Sequence, residues 1–262
     1  PRKRAATIPR PSSGLAGSAT FSLRAKSRLR RLRSDTRLRA QPLRGRLLRR
    51  MFFMKLNDLI KHIPHTGASD MDITAITYDS RKAAAGSLFV CLVGAWLDGH
   101  TYAASAYQNG CRAFLVEHTL DLPADAVQIV TDDTRAALAV IGADFYGNPA
   151  DELHLIGITG TKGKTTTALL TAAIMTEAGL PCAYIGSNGV DIAGQHEATA
   201  NTTPESLELH RLFRKMLDAG VHHCVLEVSS QALRHHRVDG VPFEVVAFTN
   251  LSEDHIGPGE HP

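Results

Sequence analysis

The second half of the chain alternates short apolar runs with stretches of helical periodicity. Residues 153–159 read as a buried strand, followed by a helix from about Thr165 to Ala178 that Gly179-Leu180-Pro181 stops. Thr203-Pro204 offers an N-cap and a first helical residue, after which Leu209, Leu212, Phe213 and Met216 share one face up to Gly220. Apolar runs at 224–228 and 245–248 follow. Repeated strand–helix units predict an α/β fold with a mostly parallel, doubly wound sheet covered on both faces. Upstream, residues 87–92, 113–116 and 126–130 are strand-like, and a helix over 134–146 has Asp132 and Asp133 in capping position. Gly147-Asn148-Pro149 marks a boundary. The expected organisation is an N-terminal α/β domain over 54–149 and a second, incomplete domain over 150–262.

Composition adds one division. Apolar residues make up 44% and charged residues 21%, ordinary for a soluble globular protein. The net charge of +3 conceals an asymmetry, because residues 1–50 hold 16 of the 29 Lys and Arg and one acid, Asp35. The remaining 212 residues carry 13 basic and 25 acidic side chains. An Arg-rich, acid-poor leader suits a nucleic-acid arm or an organelle-targeting peptide. The abrupt start of patterned sequence at Met51-Phe-Phe-Met54 favours a third expectation, that translation naturally begins at Met51 or Met54. Cys91, Cys111, Cys182 and Cys224 form no Cys-x-x-Cys pair, and no run reaches the roughly 20 apolar residues of a membrane span. A cytoplasmic protein, with no membrane partner, is the expectation.

Candidate chemistry centres on Gly157-Ile-Thr-Gly160-Thr-Lys-Gly163-Lys164-Thr165, which follows a predicted strand and opens a helix. Glycines let the backbone approach an anion, so that main-chain N–H groups and the helix N-terminus cradle phosphates. Lys164 supplies a charge to the β- and γ-phosphates of ATP, and the Thr165 hydroxyl a ligand to Mg2+. The common motif places glycine five residues before the Gly-Lys pair, where this chain has Ile158. No Asn-Lys-x-Asp segment is present to read a guanine base. Ligands in doubly wound sheets sit beyond the carboxyl ends of the strands. Glu227 emerges there, where a magnesium carboxylate belongs, although a helix cap or surface acid is the plainer alternative. His255 follows the next run, but 13 histidines, with pairs at His222-His223 and His235-His236, make it weak evidence alone.

Taken together, Gly157–Thr167, Asn201-Thr-Thr-Pro204, Glu227-Val-Ser-Ser230, His236-Arg237-Val238 and Asn250-Leu-Ser-Glu-Asp-His255 resemble the Mur ligases in order and spacing, including the unusual glycine spacing. Tyr78-Asp-Ser-Arg81, Gly86-Ser-Leu-Phe-Val90, Val93-Gly94 and Asp98-Gly99 extend the resemblance upstream, from about Met54 to the end and over none of residues 1–50. The resemblance is to the members that add the third amino acid, L-lysine or meso-diaminopimelate, to UDP-N-acetylmuramoyl-L-alanyl-D-glutamate through an acyl phosphate. It implies that Gly160, Thr161, Lys162, Gly163, Lys164, Thr165 and Thr166 hold ATP, and that Thr165, Glu227 and His255 hold magnesium. By the same pattern Tyr78, Ser80, Ala95, Trp96 and Leu97 contact the uridine nucleotide. Asn201, Thr202, Thr203, Ser229, His235 and Arg237 contact the muramoyl-peptide, with Arg237 facing its carboxylates. The partners implied are UDP-N-acetylmuramoyl-dipeptide and a free amino acid, bound by a monomer.

Three positions depart from the pattern: Lys162 replaces the usual Asn, Gln231 a His, and His235 a Gln. The family's carbamylated lysine and C-terminal domain would lie beyond Pro262, so this polypeptide is expected to bind nucleotide without completing ligation. The alternatives are a folylpolyglutamate-type or other Mur-type ligase, an ATP-driven switch, or a nucleic-acid-binding protein using the basic arm. The Asp-Ser-Arg segment argues against the folate enzyme, and the acidic globular part against a nucleic-acid groove.

Overall fold

The apolar runs become two principal β-sheets in the computed structural model, which describes residues 53–94 and 97–253. The chain enters through β1 (Met54–Lys55) and the short helix α1 (Leu56–Ile60), and β1 pairs with β2 (Asp72–Ile73). β3 (Ala75–Thr77), β4 (Ser87–Val90), β5 (Ala113–Val116) and β6 (Val127–Val130) form a four-stranded sheet in sequence order, every pair parallel. β4 and β5 are buried on both faces, which is why they read as unbroken apolar runs and not as alternations. Helices α2 (Ala103–Gln108) and α3 (Thr134–Phe145) complete this layer. Asp133 caps α3, accepting from Arg135 N at 2.8 Å and Ala136 N at 2.9 Å.

The second layer runs through β7 (His154–Thr159), α4 (Lys164–Glu177), β8 (Cys182–Gly186), β9 (Gly189–Ile192), β10 (Gln195–Glu197), α5 (Ser206–Asp218), β11 (His223–Glu227), α6 (Ser230–Arg234) and β12 (Phe243–Phe248). Its six strands lie in the order β10-β9-β8-β11-β7-β12. β8, β11, β7 and β12 are parallel, while β9 and β10 pair antiparallel at one edge. β11 is inserted between β8 and β7, so the carboxyl ends of three neighbouring strands converge beside the glycine loop. The run 245–248 lies in β12 at the opposite edge, where Val245, Val246 and Phe248 are exposed.

The helix expected from Thr203-Pro204 instead begins at Ser206, with Glu205 at the N-cap making no side-chain cap bond. Thr203 is occupied elsewhere: its hydroxyl donates to Glu227 O at 2.8 Å and accepts from Ser229 N at 3.1 Å. A side chain committed to the neighbouring strand cannot also cap. The predicted face of α5 is nonetheless buried through Leu209, Leu212, Phe213 and Met216, each contributing about 1.5–3 kcal/mol. Leu207, in the first turn of α5, joins the core of the N-terminal layer instead. It meets α3 at Gly142, where an added Cβ would lie 3.3 Å from Leu207 Cα. Both layers belong to one compact unit, and α3 against α5 is the seam.

Candidate active site

The glycine loop lies between strand and helix, as the sequence predicts. β7 ends at Thr159, Gly160 and Gly163 adopt φ of +125° and +83°, and α4 opens at Lys164. Those left-handed angles favour glycine, and at Gly160 there is a second reason. A Cβ there would lie 2.3 Å from Thr249 Oγ1 and 2.9 Å from Asn250 O. The segment after β12 grips the loop from outside: Asn250 accepts from Lys162 N at 3.0 Å through Oδ1 and donates to Lys162 O at 2.8 Å through Nδ2. Thr249 Oγ1 donates to Lys162 O at 2.7 Å, and Thr161 N donates to Asn250 O at 2.9 Å. These four bonds fix the backbone of the loop at Thr161 and Lys162. The Lys164 ammonium donates to Gly160 O at 2.8 Å and Thr161 O at 3.0 Å, directly over the cradle.

Glu227, at the carboxyl end of β11, is fully buried, which disposes of the surface-acid reading. One oxygen, Oε2, accepts from Thr165 Oγ1 at 2.9 Å. The other, Oε1, accepts from Tyr184 Oη at 2.5 Å and Ser187 N at 3.1 Å. Burial, and then the adjacent carboxylate, push the Tyr184 phenol above its ordinary range, so it stays a donor. Gly186 completes the cradle, since a Cβ there would stand 2.1 Å from Glu227 Oε1. The pair of a threonine hydroxyl and a carboxylate at a phosphate loop fits magnesium. That cation takes oxygen ligands and is commonly held by one or two carboxylates together with phosphate oxygens.

A second cluster adjoins it at the end of the same strand. Thr203 is buried between Glu227 O and Ser229 N, and its carbonyl accepts from Arg237 Nη1 at 3.1 Å. Ser187 Oγ and Thr202 Oγ1 lie 3.0 Å apart, linking the two clusters. Tyr78 reaches the seam, where its hydroxyl donates to Glu208, and its acidity is lowered first by burial and then by that carboxylate.

Two portions of the chain match a known family. Residues 72–146 match the catalytic domain of the Mur ligase family, and residues 158–261 match the Mur ligase middle domain. The chain belongs to the Mur ligases. The UDP-N-acetylmuramoyl-L-alanyl-D-glutamate–2,6-diaminopimelate ligase of Bacillus licheniformis is 44% identical over 207 residues, covering 79% of this chain and 42% of that protein. The ligase of the same name from Clostridium perfringens is 41% identical over 206 residues, covering 78% of this chain and 43% of its own. A solved structure of such a ligase superimposes with a TM-score of 0.67 at 28% identity, over 79% of this chain and 42% of that one. The chain thus spans about two fifths of the length of the relatives it matches.

Of the Mur ligase positions named from the sequence, the fold brings Gly160 to Thr166 and Glu227 into one site, with Thr202, Thr203, Ser229 and Arg237 beside it. Asn201 and Thr166 are exposed at its margin. Ser80 opens a 3-10 turn, Ser80–Lys82, and Leu97 is exposed; neither makes a side-chain hydrogen bond to either cluster. His235 is half-buried beside Arg135 and Arg237, its imidazole driven toward the neutral form by burial and then by those cations. Ala95, Trp96 and His255 lie outside the described residues. Sequence reading missed Tyr184, Ser187, Glu205, Arg135 and Thr249. The available signal was Cys182-Ala-Tyr-Ile-Gly186-Ser187, an apolar run with a hydroxyl at its carboxyl end, like the runs ending at Thr159 and Glu227.

Proposed function

We propose that this chain carries the substrate- and nucleotide-binding part of an ATP-dependent amide ligase of cell-wall precursor synthesis, joining 2,6-diaminopimelate to UDP-N-acetylmuramoyl-L-alanyl-D-glutamate. The observation that carries this reading is the contact between Thr165 Oγ1 and Glu227 Oε2, 2.9 Å, at the mouth of the phosphate loop. The names of relatives above 40% identity support the choice of substrates. In this reading residues 54–149 take the uridine nucleotide, with Tyr78, Ser80, Ala95, Trp96 and Leu97, and residues 150–262 take ATP and the muramoyl-peptide. No described helix is long and apolar enough to cross a membrane, and the reading is of a cytoplasmic monomer.

In this mechanism a D-glutamyl carboxylate oxygen attacks the γ-phosphorus of ATP, the bond to the bridging oxygen breaks, and ADP leaves. The amine of the amino acid then attacks the acyl carbon, phosphate departs, and the nitrogen loses a proton. Phosphoryl transfer asks of a protein mainly position and charge. Thr165, Glu227 and His255 would hold magnesium, which would neutralise phosphate charge during the transfer. Lys164 moves from the Gly160 and Thr161 carbonyls to the transferring group. Thr203, Ser229 and Arg237 hold the glutamyl carboxylate in line.

Calorimetric titration tests the reading. The chain is expected to bind a non-hydrolysable ATP analogue with magnesium, and to bind UDP-N-acetylmuramoyl-L-alanyl-D-glutamate in preference to UDP-N-acetylglucosamine. Nucleotide binding with no preference for the muramoyl ligand would contradict it.

A further inference from the structure

The seam between the two layers carries an Arg–Glu–Arg triad, of which only Arg237 has a role above. Glu205 at the start of α5 accepts from Arg237 Nη2 at 2.8 Å on Oε1 and from Arg135 Nη1 at 3.1 Å on Oε2. Arg135 belongs to the first turn of α3 in the N-terminal layer, and Arg237 follows α6 in the second. All three side chains are largely buried, at 16%, 13% and 10% exposure for Arg135, Glu205 and Arg237. Burying such a triad is seldom a source of stability, because desolvation offsets the attraction, so its geometry calls for another explanation.

Two features supply one. Arg237 Nε is buried and has no partner, although Nη1 and Nη2 are satisfied by Thr203 O and Glu205. A guanidinium fixed on two sides with one inward donor unmet is set to receive an anionic oxygen. Arg135 also donates through Nε to Val93 O at 2.9 Å, so the same carboxylate ties the Thr203–Ser229 pocket to the loop beginning at Val93.

We propose that Glu205 and Arg135 are positioning residues: they aim Arg237 at a carboxylate of the muramoyl-peptide and make that contact depend on the two layers being docked. This rests on the substrate reading above. The triad leaves one positive charge over, which a peptide carboxylate neutralises and a peptide-free sugar nucleotide does not. Of the other carboxylates at the seam, Glu208 is engaged by the Tyr78 hydroxyl, and Asp133 by the first turn of α3 and by His236.

The test compares two ligands by calorimetry on the full chain: UDP-N-acetylmuramoyl-L-alanyl-D-glutamate and UDP-N-acetylglucosamine, which carries neither the peptide nor any carboxylate. Glu205→Gln is expected to weaken the dipeptide ligand about tenfold while the peptide-free ligand and the ATP analogue change by less than about twofold. Arg135→Gln leaves the Arg237–Glu205 pair in place, and should shift the dipeptide ligand alone by about threefold. It carries the test if Glu205→Gln does not fold. Equal losses for both ligands, or no loss in either variant, overturn the proposal. If the unaltered chain fails to bind the dipeptide ligand, the substrate reading falls and takes this inference with it. Binding followed by unselective losses removes the inference alone.

Discussion

Two carboxylates stand at corresponding places in the two sheets, and their surroundings separate structure from chemistry. Glu117 follows β5, one of the two interior strands of the N-terminal sheet, as Glu227 ends β11, interior in the second. Glu117 is half-buried and its Oε1 accepts from Thr134 N at 3.1 Å and Thr134 Oγ1 at 2.9 Å, so its carboxylate caps α3. Glu227 meets the hydroxyls of Thr165 and Tyr184, on the phosphate-loop helix and a neighbouring strand, within a space that Gly186 keeps free of a Cβ. One charge serves a helix terminus. The other is buried completely beside the glycine loop.

Removing each carboxylate should therefore give unlike results. Glu227→Ala is expected to reduce the gain in nucleotide affinity conferred by magnesium by about a thousandfold, ~4 kcal/mol, in titrations with and without the metal. An unchanged magnesium effect would place Glu227 with Glu117 as a structural acid.

The seam between the layers contributes the next largest effect. His210 is 2% exposed, its Nδ1 lacks a partner, and burial pushes its pKa down to about 4 against an opposing pull from Asp144. The unfolded chain, with an ordinary value of 6.5, binds a proton that the native chain refuses between these limits. Stability is thus fully present above pH 6.5, falls as pH drops toward 4, and loses about 3 kcal/mol over that window. Denaturant unfolding at pH 7 and pH 4.5 checks this, and His210→Leu should flatten the slope. Equal acid sensitivity in the variant would assign the loss to other groups.

Smaller changes sharpen the contrast around Glu227. Tyr184→Phe leaves Oε1 with Ser187 N alone and should lower the magnesium-dependent gain about tenfold, with the magnesium-free affinity unmoved. The smallest effect belongs to Glu117→Gln, which should cost about 1 kcal/mol of stability, read by melting, and leave nucleotide binding alone.

How much of this was legible depended on whether a residue's role is local. The loop 160–165 could be read because a strand, glycines, lysine and a helix start are consecutive, and the fold places them as expected. Buried strands such as β5 were legible as unbroken apolar runs. The start of α5 was misread because Thr203 answers to Glu227 and Ser229, 24 and 26 residues away, and not to its own helix. The hairpin β9–β10 escaped because Gly189, Gly194 and the polar Gln195–Glu197 strand leave little apolar pattern. Glu227 and Glu117 look alike in sequence, each at the end of an apolar run. Only the partners that the fold supplies tell them apart.

In the proposed reading, Thr165 and Glu227 turn a glycine loop into a magnesium–nucleotide site. The most direct measurement is calorimetric titration of the full chain with a non-hydrolysable ATP analogue, in magnesium and in EDTA. Saturable binding that tightens by at least about a thousandfold with magnesium is the predicted result. Equal affinity in the two buffers, or no binding in either, would contradict it.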